Sequence, residues 1–229
     1  MIKSQYLTAL LVVLCQAVHA QGFINLNFES GTIIQDTSSP YPNAVYANDA
    51  IPGWTATGFI GPTDILYNSA SLGDPSVSIL GTDGTPPALD GAFSIYLYGG
   101  GGPSTGASIS QTAIVPASAG SLLFIAQESG TGTLQVSLGG QNLSFYAIST
   151  ESDYTLYGGN VPSDLDGQSE QLMLTALAGN NNFWEIDYIQ FAASAVPEPN
   201  SFGLFALGGL IMAWLHWRKS SPKVSPGEH

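Results

Sequence analysis

Residues 91–98 alternate in character: Phe93, Ile95 and Leu97 fall on one side, Ser94, Tyr96 and Tyr98 on the other. A period of two marks a strand whose two faces meet different surroundings. Residues 133–138 repeat the pattern with Leu134, Val136 and Leu138. The chain then turns at Gly139-Gly140 and resumes as Leu143, Phe145 and Ala147, which predicts a hairpin. Further strands are expected over 23–28, 65–67, 77–80, 108–115, 122–127, 171–176 and 184–191. No stretch between them has helical periodicity long enough for a buried helix. Residues 31–49 and 81–90 read as long polar loops, and Gly99-Gly100-Gly101-Gly102-Pro103 can hold no regular element. Many short strands joined by Gly, Pro, Ser and Asn turns predict an all-β protein, an antiparallel β-sandwich.

Two stretches break this pattern, one at each end. At the start, Lys3 precedes an apolar run over 6–14, and Val18-His19-Ala20 places small residues before a cut between Ala20 and Gln21. That is the form of a signal peptide, 1–20, removed by signal peptidase together with Cys15. At the end, residues 202–217 carry no formal charge with His216 neutral. As a helix they would reach roughly 24 Å, a little less than the ~30 Å hydrocarbon core. Trp214 and Trp217 suit the membrane–water interface, and Arg218, Lys219 and Lys223 hold that end on the cytoplasmic side, leaving 220–229 as a short polar cytoplasmic tail. Before the run, Pro197 and Pro199 lack an N–H and keep the backbone extended.

The order Val196-Pro197-Glu198-Pro199, apolar helix, then Arg218-Lys219 resembles the PEP-CTERM sorting signal of Gram-negative bacteria. The resemblance covers about 196–219, and its basic cluster is thinner than the usual arginine run. It implies export, an inner-membrane-anchored precursor, recognition by an exosortase-type enzyme, and a mature form at the cell surface or in the extracellular matrix, associated with exopolysaccharide. An ordinary single-span anchor is the alternative. The ectodomain is then 21–195, and residues 192–195 form the only spacer before the motif.

Charge narrows the chemistry. Of the 17 acidic residues only Glu198 and Glu228 lie outside 21–195, which leaves 15 there, while all four basic residues, all three histidines and the one cysteine lie outside it. Such a region repels phosphate, so nucleic acid is not an expected partner. It offers no imidazole base, no lysine nucleophile and no disulfide. Carboxylate or metal–carboxylate catalysis is what remains. Its acid pairs would be Glu151 with Asp153, Asp164 with Asp166, and Glu185 with Asp187, whose spacing any acidic loop also gives. We expect no enzyme.

Asn25-Leu26-Asn27-Phe28-Glu29 with Ile51-Pro52-Gly53-Trp54, and Asp187-Tyr188-Ile189-Gln190-Phe191, resemble the first and last strands of jelly-roll carbohydrate-binding-like domains. The resemblance implies pairing of those strands and a structural Ca²⁺ at Glu29 and Asp187, against the plainer reading of two solvated acids. Glycan contact would need exposed aromatic rings. The candidates are Trp54, Tyr96, Tyr98 and Trp184, with core packing the default for the two tryptophans. A structural or adhesive surface protein is expected, with a carbohydrate-binding module as the alternative and a glycoside hydrolase behind both.

Overall fold

The computed structural model describes residues 22–69, 73–101, 106–129, 132–179 and 182–196. The expected signal peptide with Ala20 and Gln21, the motif residues Pro197, Glu198 and Pro199, the span 202–217, and Arg218 and Lys219 lie outside the described residues. Among the described residues no helix is long and apolar enough to cross a membrane.

The strands are β1 (Ala44–Tyr46), β2 (Thr55–Thr57), β3 (Asp64–Tyr67), β4 (Ser76–Gly81), β5 (Phe93–Tyr98), β6 (Ala107–Ile114), β7 (Ser121–Ser129), β8 (Leu134–Leu138), β9 (Gln141–Asn142), β10 (Phe145–Thr150), β11 (Thr155–Asn160), β12 (Ser169–Ala176) and β13 (Phe183–Ala192). One four-residue helix, α1 (Ala47–Ala50), and a 3₁₀ turn at Ser163–Leu165 are the helical elements among the described residues. The strands form an eight-stranded sheet, ordered β1-β3-β4-β5-β13-β7-β11-β10, and a five-stranded sheet, ordered β2-β6-β12-β8-β9. The all-β expectation agrees with this.

The period-two pattern places the core. Val77 and Ile79 of β4, Ile95 and Leu97 of β5, Phe124 and Ala126 of β7, and Trp184 and Ile186 of β13 face Ile109 of β6, Leu172 and Leu174 of β12, and Val136 and Leu138 of β8 in one buried cluster. Each large side chain so removed from water contributes roughly 1.5–3 kcal/mol relative to exposure. Phe124, Phe145, Tyr157 and Trp184 add offset and edge-on ring contacts with centroids 5.4–6.4 Å apart.

Four expectations are corrected. Residues 23–28 form no strand. Gln111 of β6 pairs with both backbone polar groups of Ile24 (2.7 and 3.1 Å), while Ile189 of β13 donates its N–H to Leu26 O (2.9 Å). The segment thus bridges the two sheets and cannot run in the ladder of either. Asn25 and Phe28 sit at φ +50° and +58°, and the Asn25 side chain accepts the Ser30 N–H (3.0 Å), which holds the turn. The Gly139-Gly140 hairpin forms with both glycines at positive φ, as a two-residue turn requires. Its return strand β9 is short, however, and after Leu143 the chain crosses to the other sheet as β10, paired with β11. Residues 31–49 are not all loop: Ala44–Tyr46 is β1. Finally, β3 and β4 pair in parallel, Leu66 opposite Ser78. Residues 68–75 reach up to roughly 27 Å when extended, enough to return along a short strand.

Candidate functional site

Three places bring chemistry-bearing residues together, and the first begins at the N-terminal segment. The Trp54 indole N–H donates to Asn25 O (3.0 Å), the Asn25 amide donates to Pro52 O (3.3 Å), and the Phe28 and Trp54 rings lie 5.7 Å apart. The two motifs with the jelly-roll resemblance therefore meet, and Trp54 is a buried plug at 3% exposure. Glu29 follows directly. Its Oε1 accepts the N–H groups of Ala92 (2.8 Å) and Phe93 (3.0 Å). Gly91, at φ +59°, makes room for it: a Cβ there would lie 2.4 Å from Oε1.

Asp187 lies nearby on β13, 1% exposed, at an irregularity in the β13–β7 pairing between Asp187 and Gln190. Its Oδ1 accepts the Tyr188 N–H (2.6 Å) and its Oδ2 the Asp90 N–H (3.2 Å). Burial pushes its pKa up to about 8, and the charges of Asp90 and Glu29 act in the same direction against those two hydrogen bonds. Glu29 and Asp187 are brought into one neighbourhood, through the bridging segment rather than through paired strands. Among the described residues no three acidic, histidine or cysteine side chains group to hold a metal ion. A Ca²⁺ here would rest on Glu29, Asp187 and backbone carbonyls, and Oε1 and both Asp187 oxygens already accept N–H groups. Backbone carbonyls and water would have to supply the rest of the six to eight oxygens the ion takes.

The second place is the outer face of the larger sheet. Ser94, Tyr96 and Tyr98 on β5 and Phe183, Glu185 and Asp187 on β13 share it, with Tyr98 stacked on Phe183 at 4.5 Å. An outer face should meet water, yet it is covered. The Ser78 hydroxyl donates to Ser69 O (2.5 Å), and the segment carrying Asp90 ties down on Asp187, so chain crosses over this sheet. Tyr96 and Tyr98 are 7% and 8% exposed, and Trp184 is buried at 4% on the inner face. None of the four aromatic residues expected to contact a glycan offers an open ring face: Tyr96 and Tyr98 lie on the covered face, and Trp54 and Trp184 pack in the core. The Tyr96 phenol is pushed up to about 12, mainly by burial. Glu185 is 1% exposed: Oε1 accepts the Ser94 hydroxyl (2.5 Å), Oε2 has no hydrogen-bond partner among the described residues, and burial pushes the carboxyl up to about 7.

The exposed aromatic on β13 is Tyr188, at φ +50° and 50% exposure. It borders a groove of about 400 Å³ lined with Asp90, Ile125, Glu151, Tyr154 and Leu156. Alternation along 184–191 gave no warning of it, because the irregularity after Asp187 re-aims the side chain. Of the other acid pairs, Glu151 and Asp153 together line a shallow recess of about 180 Å³, and Asp166 accepts the Ser118 N–H (3.1 Å) at the end of the 3₁₀ turn that holds Asp164.

The third place is at the end of the described residues. Of the expected spacer 192–195, Ala192 belongs to β13, and the described residues after it stay against the domain. They pass over Gly120, where a Cβ would lie 2.4 Å from Ala193 O, and the Ser121 hydroxyl donates to Ser194 O (2.8 Å). Val196 donates its N–H to Asn160 Oδ1 (2.7 Å), and its carbonyl accepts the Tyr146 hydroxyl (2.8 Å). Its side chain sits over Gly158, in mid-strand, where a Cβ would lie 3.0 Å from Val196 Cγ2 and 2.8 Å from Leu123 Cδ2. Val196 is 9% exposed.

The family model for the PEP-CTERM protein-sorting motif matches residues 195–219, beginning one residue before this seat. The chain carries a PEP-CTERM sorting motif. It is therefore an exported protein, and an exosortase is the processing enzyme the motif implies. No curated protein and no solved structure matches the chain.

Proposed function

We propose that the mature protein does structural or adhesive work at the cell surface or in the exopolysaccharide matrix of a Gram-negative bacterium, released there from an inner-membrane-anchored precursor. The PEP-CTERM motif at 195–219 carries this reading. The ectodomain, read as a jelly-roll-like sandwich, carries 15 carboxylates and no basic side chain over 21–195, so the partners its surface favours are neutral or cationic. On this reading the protein is no enzyme, and its work is done by its surface. Exchange of Glu198 for Ala in the native host should accumulate full-length, membrane-held protein at the expense of the extracellular form. Normal release of that variant, followed by intact mass in each fraction, removes the reading.

A second reading, a carbohydrate-binding module, is favoured by Tyr188 and Tyr154 beside Asp90 and Glu151 in one groove. Ring faces stack on sugars while carboxylates accept their hydroxyls, and the surrounding negative charge selects neutral or cationic glycans. Saturable glycan binding should fall at least tenfold in Tyr188→Ala. Binding that survives the exchange excludes this groove.

A further inference from the structure

Among the described residues, the sorting motif begins where the chain is still held against the folded domain. Val196 opens the Val-Pro-Glu-Pro sequence, and it is also seated on the sheet. We propose that the ectodomain latches its own sorting signal: Asn160, Tyr146 and the socket over Gly158 hold Val196, so that the processing enzyme engages the motif only when this latch is open. The inference rests on the reading that an exosortase processes the motif, and adds to it the gate that sets when processing occurs.

Three observations carry it. First, both backbone polar groups of Val196 are already taken, the N–H by Asn160 Oδ1 at 2.7 Å and the carbonyl by the Tyr146 hydroxyl at 2.8 Å. An enzyme that binds an extended peptide pairs with those same groups. Second, the side chain is used as well. Tyr146, Gly158 and Leu123 are register partners across β10, β11 and β7. A larger residue than glycine in the middle of that row would fill the place Val196 occupies, and a Cβ at 158 would also meet Ile148 Cδ1 at 2.6 Å. Third, the latch shortens the tether. From Val196 to Phe202, where the apolar run begins, the chain extends at most roughly 20 Å. From Ala192, where β13 ends, it extends roughly 34 Å. Opening the latch therefore frees the motif's first residue and lifts the bulk of the domain away from it.

The residues of the latch are not needed to complete the core. Asn160 is exposed and Tyr146 half-buried, so removing either polar group leaves the apolar cluster intact. The hydroxyl of Tyr146 and the amide of Asn160 each make one hydrogen bond to Val196, and loss of one such bond shifts an opening equilibrium roughly fivefold.

The test uses the full chain in a host with its exosortase. Pulse–chase processing of wild type is compared with Asn160→Ala and Tyr146→Phe, and backbone hydrogen exchange at Val196 is read on the full chain in detergent. The expected result is slow exchange at Val196 in wild type, faster exchange in both variants, and processing accelerated about three- to tenfold in each. Exchange at Val196 as fast as in free peptide in wild type overturns the latch. So does processing of the variants at the wild-type rate or below it, while the motif itself is still processed. If neither wild type nor variants are processed, the exosortase reading falls, and the gate with it.

Discussion

Glu185 shows how much a single residue depends on what lies over it. On an open sheet face its carboxyl would titrate as any glutamate does. Covered, with one oxygen on the Ser94 hydroxyl and the other unpartnered, it is pushed up to about 7. Its folded value lies above its ordinary 4.5, so its contribution to stability is fully present below about pH 4.5 and is lost as the pH rises to about 7. Glutamine keeps the Oε1 acceptor and carries no charge. Glu185→Gln should therefore match wild type near pH 4 and exceed it by about 3 kcal/mol above pH 7.5. Urea unfolding across pH 4–9 measures this, and a variant less stable than wild type at pH 8 contradicts it. Asp187, held up to about 8, extends the same downward slope for one further unit of pH. In the sequence these two read only as acids at alternate positions. Nothing local distinguishes a carboxylate facing water from one facing a crossing loop.

Among the elements, the legible ones were those whose two faces differ. β5 and β8 carry clean alternation because one side meets the core, and the Gly139-Gly140 turn is legible because only glycine takes two successive positive φ values easily. β11 was missed. Its centre, Gly158-Gly159, carries no side chains to alternate, and the glycine at 158 is the floor on which Val196 rests. The 23–28 segment failed in the opposite sense. Its apolar positions alternate, but Ile24 is tied to β6 and Leu26 to β13, and a segment bound to both sheets joins neither. β10 failed in part. Leu143 still gives its N–H to Val136 O at 2.8 Å, two residues before Phe145 enters the opposite sheet. Periodicity records that a residue is buried. It does not record in which sheet.

At the scale of the molecule, charge dominates. Fifteen carboxylates, with no basic side chain between residues 21 and 195, leave the folded ectodomain to repel itself without internal ion pairs. Screening should relieve that: the Debye length falls from about 30 Å at 0.01 M salt to about 10 Å at 0.1 M. We expect Tm to rise by about 2–4 °C over that range, corresponding to about 1 kcal/mol for a domain of this size. A thermal scan in NaCl decides it, and a Tm that stays level or falls means the acids are too dispersed to interact. Burial raises the Asp187 and Glu185 carboxyls, and no positive side chain between residues 21 and 195 is at hand to offset it.

What the amino-acid sequence determined by itself was composition and order along the chain. The PEP-CTERM motif, the strand-rich ectodomain and the missing imidazole, amine and thiol groups are properties of residues in succession, and need no contact partner to be read. The covering of Tyr96 and Glu185, the exposure of Tyr188 and the seating of Val196 on Asn160 and Tyr146 were decided only by tertiary structure. Each depends on a segment distant in the chain lying across a face or turning away from it. That placement is set by the packing of the two sheets and the crossings between them, which local pattern does not encode.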